Sequence, residues 1–315
     1  MYLAVSGCLL GENIRYNGGH THDRFITDAL GKYAQFVSFC PEHLAFGTPR
    51  DSLRLVSDKE SVTVHNNKTL EDITSRLIET SKAELDKISQ QPICGIILKA
   101  KSPSCGLGSA VIYRTNGYAQ SKGDGVFAKM CKEHLPLVPI EEEARLIDPW
   151  LRENFIMQIF AYEDFETFKA THPAMKELVT FHQSYKFMLQ SKNDQNYRKL
   201  GNIVANQAKK PFEEILLDYE VLFKQTIGHK SSIAKTRNVL EHMAGFLKKC
   251  INDVEKRTLH DQIHDYAHKI IPLITPLSTL HMLAKEYQVE YLLDQKFLHP
   301  YPKELALRSD IRSGK

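Results

Sequence analysis

Lys99-Ala100-Lys101-Ser102-Pro103-Ser104-Cys105-Gly106-Leu107-Gly108 follows directly on Cys94-Gly95-Ile96-Ile97-Leu98. The apolar run has the length and β-branched content of a buried strand. Pro103 and Gly106 then break the chain, so the strand gives way to an irregular loop. That loop presents a thiol, two hydroxyls and two ammonium groups close together. A thiol beside cations is expected to have a lowered pKa, and the thiolate is the form that binds metal or attacks.

Two more cysteines occupy comparable places. Residues 2–6 read as a short apolar strand ending at Gly7-Cys8, and 36–39 as a second strand that stops at Cys40-Pro41-Glu42. The third strand, 96–99, leads to Cys105, and Cys94 precedes it. In an open parallel sheet the C-terminal strand ends share one edge, where the ligand crevice forms. Cys8, Cys40 and Cys105 are therefore expected to converge in space. Arg15 and Tyr16, Glu42 and Arg50, and Ser102 and Ser104 would come with them.

Outward from this centre, a helix is expected over 23–33, with Phe25, Ile26 and Leu30 inward. Residues 53–56 and 61–64 read as a short strand pair. Thr69, followed by Glu71 and Asp72, has the form of an N-cap with acidic residues in the first turn. The helix it would open carries Leu70, Ile73, Leu77, Leu85 and Ile88 as a stripe. A helix at 126–134 and a last strand at 135–140 close the domain. Strands alternating with helices imply an α/β fold with a mostly parallel sheet.

After Glu141-Glu142-Glu143 the pattern changes. Asp148-Pro149 is an N-cap followed by proline at the first helical position. From there on only helical patterns occur, at about 150–168, 173–192, 195–208, 211–227, 231–250, 252–270 and 277–292, separated by turn or proline breaks. The expected organisation is an α/β domain over 1–147 and an all-α domain over 148–315.

The chain has 315 residues, 42% hydrophobic and 25% charged, which is ordinary globular composition. No run is long and apolar enough for a transmembrane helix. Met1 leads straight into an apolar run without a basic n-region, so no secretory signal is expected and the expected address is cytoplasmic. Six cysteines without framework spacing favour metal or catalytic use over disulfides. Residues 1–150 hold 17 Lys+Arg against 18 Asp+Glu, and 151–315 hold 24 against 20. Positions 186–237 contain ten Lys+Arg and five Asp+Glu, an excess that suits a polyanion or the solvated face of a helix bundle.

Three thiols do not by themselves define a metal. Structural zinc takes four ligands, with His20, His22 or His43 as candidates for the fourth. A cubane cluster usually takes four cysteines, and with three it keeps an open iron. Small buried thiols near strand ends are the plain alternative, and Cys94, Cys131 and Cys250 fit it better. His260, His264 and His268 recur at i, i+4 and i+8, but the neighbouring Asp261 and Asp265 favour an exposed polar face.

Gly7-Cys8-Leu9-Leu10-Gly11 with Arg15-Tyr16-Asn17-Gly18-Gly19, Cys40-Pro41-Glu42 with Pro49-Arg50, and Lys101-Ser102-Pro103-Ser104-Cys105-Gly106 resemble, block by block, the TudS thiouracil desulfidase family. Asn17 departs from the aspartate expected in that loop. The second half resembles the YbgA-like helical domain through Phe181-His182-Gln183-Ser184-Tyr185-Lys186, Leu200-Gly201-Asn202-Ile203-Val204-Ala205, Asn238-Val239-Leu240-Glu241-His242-Met243 and Tyr301-Pro302-Lys303-Glu304-Leu305. The tandem is similar to desulfidases that convert 4-thiouridine in tRNA to uridine. The resemblance implies a four-iron, four-sulfur cluster on Cys8, Cys40 and Cys105, whose fourth iron binds the thiocarbonyl sulfur. Glu42 would be the acid/base and Ser102 would position substrate or water. Arg15, Tyr16, Arg50, Lys101 and Ser104 would contact substrate; the plainer alternative is that Glu42 pairs with Arg50 and only shapes the turn. On the same resemblance the helical half would hold tRNA through Lys186, Arg198, Lys199, Lys209, Lys210, Lys235 and Arg237, with Tyr185 and Tyr197 among them for stacking. Desulfuration of a free thiouracil-type base, a non-catalytic iron–sulfur sensor that binds nucleic acid, and a DNA-repair accessory are the alternatives.

Overall fold

The computed structural model describes residues 1–58, 61–305 and 307–309. It divides into two compact units, Met1–Ile147 and Asp148–Lys315.

In the first unit the apolar runs do become parallel strands. β1 (Tyr2–Ser6) lies between β2 (Gln35–Phe39) and β5 (Ile93–Leu98), with β8 (Ile140–Glu142) at the far edge, giving the order β2-β1-β5-β8. All three pairings are parallel, with Ser6 opposite Phe39, Val5 opposite Ile97 and Leu98 opposite Glu142. β5 is buried along its whole length, as a strand covered on both faces must be. One face packs against α2 (Thr74–Ser89) and α3 (Val126–His134), through Leu85, Ile88, Phe127 and Met130. A second sheet, order β4-β3-β6-β7, is built from β3 (Leu53–Ser57), β4 (Val62–Asn66), β6 (Ala110–Arg114) and β7 (Ala119–Gly123). It packs Leu55, Val64 and Ala110 against Leu77 of α2.

Several local expectations are corrected. Residues 23–33 form a π-helical turn (Phe25–Ala29) and a 3-10 turn (Leu30–Lys32), although Ile26 and Leu30 are buried as the pattern requires. Thr69 does not cap α2. Leu70 has φ 60, which no α-helix accommodates, and the helix starts at Thr74, whose N–H donates to Asp72. Cys94 lies inside β5 and does not precede it. Residues 135–139 are not a strand: Pro136 and Pro139 have no N–H for a ladder, and β8 begins only at Ile140. β6 and β7 have no counterpart in the sequence reading, because β7 (Ala119-Gln120-Ser121-Lys122-Gly123) is mostly exposed and polar.

The second unit contains no strand among the described residues. Asp148 caps α4 (Pro149–Ala170), accepting from the Trp150 and Leu151 N–H groups, with Pro149 at the first position. α5 (Met175–Lys192), α6 (Asp194–Ala205), α7 (Phe212–Gly228), α8 (Ile233–Leu247), α9 (Asp253–Ala267), α10 (Ile274–Glu286) and α11 (Glu290–Leu293) follow. The last expected helix thus divides at Tyr287–Val289. Phe165 and Tyr219 stack on Phe223, and Phe181 meets Phe165 and Phe223 edge-on, between α4, α5 and α7. Among the described residues no helix is long and apolar enough to cross a membrane.

Candidate active site

Three adjacent parallel strands deliver three thiols to one edge. Cys8 sits in the 3-10 turn Gly7–Leu9 just past β1. Cys40 immediately follows β2 and caps α1 (Pro41–Phe46), its Sγ accepting from the His43 N–H at 3.4 Å while Pro41 opens the helix. Cys105 lies in the loop after β5. All three line one cavity of ≈ 330 Å³, within the size range of small-molecule sites. Arg15, Tyr16, Glu42, Arg50, Lys99, Lys101, Ser102 and Ser104 line it as well.

The Cys105 loop is held from two sides. At the N-terminus of α3, the Val126 N–H donates to the Pro103 carbonyl at 3.1 Å and the Phe127 and Ala128 N–H groups to the Ser104 carbonyl at 2.9 and 3.1 Å. These are donors a helix leaves unpaired in its first turn. The approach requires glycine at 125, where a Cβ would stand 2.5 Å from the Ser104 carbonyl. From the other side, the end of β8 supplies carboxylates. Glu142 accepts from the Leu107 N–H at 3.1 Å and the Ser109 hydroxyl at 2.6 Å. Glu143 accepts from the Ala100 N–H at 2.7 Å and pairs with Lys99. Sequence reasoning took Glu141-Glu142-Glu143 only as the end of the domain. A run of acids at the end of a strand that neighbours the cysteine-bearing loop was the available signal.

Glu42 is the hub of the polar wall. It is only 9% exposed, and its Oε1 accepts from Ser102 Oγ at 2.9 Å and Ser104 Oγ at 2.6 Å. Its Oε2 accepts from Arg50 Nη2 at 2.9 Å. Arg50 Nη1 donates to the Ile14 and Gly47 carbonyls at 2.9 and 3.0 Å and to Thr48 Oγ1 at 3.3 Å. Arg50 through both terminal nitrogens and Ser104 through its hydroxyl, expected at the substrate, are therefore committed to Glu42 and the loops around it, while Arg50 Nε is buried without a hydrogen-bond partner. Ser104 is 1% exposed. Tyr16 stands at the mouth, 43% exposed, with the Arg15 guanidinium 5.7 Å from its ring centroid. Lys101 is exposed and lines the same cavity.

The expected lowering of the Cys105 pKa is corrected. Burial pushes that thiol well above its usual value, Cys40 and Glu42 add to the effect, and hydrogen bonds from Ser104 and Ser6 offset it only in part. Burial also raises Cys8, against the nearby Thr21 hydroxyl and the charges of Lys99 and Arg15, and pushes Cys40 up to about 12. Desolvation outweighs the cations here, so metal binding at these thiols must displace protons.

His20, His22 and His43, offered as a fourth ligand, do not line the cavity; His22 and His43 bond to Thr27 and Thr48. Among the described residues no three His, Cys, Asp or Glu side chains close on a single ion. A cluster sets its ligands on separate irons and does not need them to meet at one point. Three soft thiol donors spread around one cavity thus fit an iron–sulfur cluster better than mononuclear zinc.

A family model described as 2-thiouracil desulfurase matches residues 3–143. The uncharacterized protein YbbK of Bacillus subtilis (strain 168) is 31% identical over 140 residues, which cover 42% of this chain and 89% of that protein. The chain belongs to the 2-thiouracil desulfurase family. A solved structure of TudS, a [4Fe-4S]-dependent thiouracil desulfidase, is 30% identical with a TM-score of 0.38, covering 46% of this chain and 93% of that one. Residues 186–302 match a family of proteins of unknown function, DUF1722. The uncharacterized protein YbgA of Escherichia coli (strain K12) is 25% identical over 160 residues, covering 50% of this chain and 93% of that protein. The chain is a desulfurase-family domain fused to a YbgA-like domain.

The basic residues of that second domain are unevenly available. Arg198, Lys210 and Arg237 are paired with Asp194, Asp218 and Glu241 at 2.9, 2.8 and 2.8 Å. Lys235 donates to the Lys192 carbonyl at 2.8 Å. Lys199 and Lys209 are exposed, and Lys186 lies among aromatic rings. Tyr185, expected to stack, is 2% exposed and donates to Asp164 at 2.7 Å, whereas Tyr197 stacks on His182 with centroids 5.3 Å apart. His260, His264 and His268 are exposed, and His268 bonds to the His264 carbonyl.

Proposed function

We propose that the first unit hydrolyses the carbon–sulfur bond of a thiolated pyrimidine at a four-iron, four-sulfur cluster held by Cys8, Cys40 and Cys105, and that its substrate is 4-thiouridine in tRNA. The observation that carries the reading is the placement of three thiols and the Glu42–Ser102–Ser104 cluster on one cavity. When bound, the cluster supplies Lewis acidity toward the thiocarbonyl sulfur from the iron without a protein ligand.

The protein's own groups do the proton work. Glu42 takes a proton from the water that adds to the thiocarbonyl carbon, and returns it as sulfur departs. Ser102, half-buried on the cavity wall, holds that water or the ring by a hydrogen bond. Ser104 and Arg50 keep the carboxylate aimed, and Tyr16 with Arg15 covers the base at the mouth. One water is consumed, C=S becomes C=O, and sulfur leaves as hydrogen sulfide without net electron transfer. The excess of basic residues in the second unit supports a tRNA substrate over a free base, with exposed Lys199 and Lys209 on phosphates.

The test is anaerobic purification with assay of iron, sulfide and visible absorption, then incubation with thiolated tRNA and with free 2-thiouracil. Cys8→Ser, Cys40→Ser and Cys105→Ser should each lose the cluster, while Cys131→Ala and Cys250→Ser keep it. A loaded protein that releases sulfide from neither substrate overturns the enzymatic reading. One that acts only on the free base overturns the tRNA assignment.

A further inference from the structure

Phe246, at the end of α8, leaves 42% of its surface in water. It is not an isolated apolar residue: it stacks on Tyr291 of α11 with centroids 4.9 Å apart and planes 24° from parallel. The Lys186 ammonium of α5 lies 5.4 Å from the Phe246 centroid, 5.8 Å from that of Tyr291 and 5.2 Å from that of buried Phe187. Tyr197 of α6 is within electrostatic reach of both Lys186 and Tyr291, and its ring stacks on buried His182 at 5.3 Å, 6° from parallel. Exposed Lys199 belongs to the same helix as Tyr197.

An open ring face beside a lysine satisfies both needs of an unpaired nucleotide, a flat apolar surface for the base and a cation for the phosphate. We propose that Phe246 and Tyr291 form a stacking platform for one unpaired base of RNA, with Lys186 on the adjoining phosphate. The inference rests on the tRNA reading above and names the surface that serves it. Charge complementarity favours RNA over a protein segment or a second copy of the chain: the Lys186 ammonium stands at the platform itself, and Lys199, on the helix that carries Tyr197, is exposed.

The test uses the full chain and unmodified tRNA, with binding followed by fluorescence anisotropy over a salt series. Loss of one base stack should weaken binding of Phe246→Ala and Phe246→Leu roughly 5- to 150-fold. Phe246→Trp should restore it, and the salt slope of all three should match the parent. Lys186→Ala should lower the slope by about 1. Phe246→Leu preserves apolar bulk without a π-face, so parental affinity in that variant overturns the platform while leaving tRNA binding intact. A parent that self-associates through this face, with Phe246→Ala monomeric and unaltered in RNA binding, overturns it in favour of a second copy. A parent that binds no tRNA at any salt overturns the tRNA reading itself, and the platform with it.

Discussion

Arg50→Met is the most informative single change in the first unit. The Arg50 guanidinium is buried, pairs with Glu42 at 2.9 Å and ties the carbonyls of Ile14 and Gly47 to the same point. Removing one partner of a buried ion pair costs about 3–5 kcal/mol, because the other charge is left without compensation. At one decade per 1.36 kcal/mol, that is roughly 150- to 5,000-fold faster opening of the loops that Arg50 joins. Hydrogen-exchange mass spectrometry on peptides covering residues 40–56 reads this directly, separately from the helical unit. The sign of the second step is the sharper part. Adding Glu42→Gln to Arg50→Met removes the stranded carboxylate, so the double variant should exchange more slowly than Arg50→Met alone. Acceleration below tenfold in the single variant, or a double variant that opens faster still, would refute the view that Arg50 exists to hold Glu42.

Two other expectations follow from the same structure. His182, held against Tyr197 and Tyr219, has its pKa lowered by burial from 6.5 to about 4. Between those values the unfolded chain binds the proton and the folded chain does not. Its stability contribution is therefore complete above pH 6.5 and declines by about 3 kcal/mol as pH falls to 4. Denaturant midpoints measured across that range should flatten in His182→Gln, and an unchanged slope would count against the assignment. Glu143→Gln weakens the hold of β8 on the Cys105 loop, so a chelator should strip iron from the reconstituted protein several-fold faster. Glu133→Gln, which alters only an exposed pair with Lys129 at 3.9 Å, is the control, and equal rates in the two variants would dismiss the clamp.

Much of the site was legible because its signals are local. Gly7-Cys8 and Cys40-Pro41 mark points where an apolar run stops, Ser104-Cys105-Gly106 lies in the loop that follows a third, and the parallel order of β2, β1 and β5 brings all three to one edge. Asp148-Pro149 announced the opening helix of the second unit for the same reason, a cap and a proline acting within one turn. By itself, then, the sequence determined the three strands that lead to Cys8, Cys40 and Cys105, most of the long helices, and that an all-helical half follows an α/β half. Only the tertiary structure decided the rest. Burial, not the neighbouring lysines, governs the protonation of Cys105; Glu142 and Glu143 reach back more than thirty positions to fasten its loop; Arg50 turns inward to Glu42; and Tyr185 is buried while Phe246 stays open. Desolvation and long-range hydrogen bonds depend on what surrounds a group in three dimensions, and no periodicity along the chain encodes that surrounding.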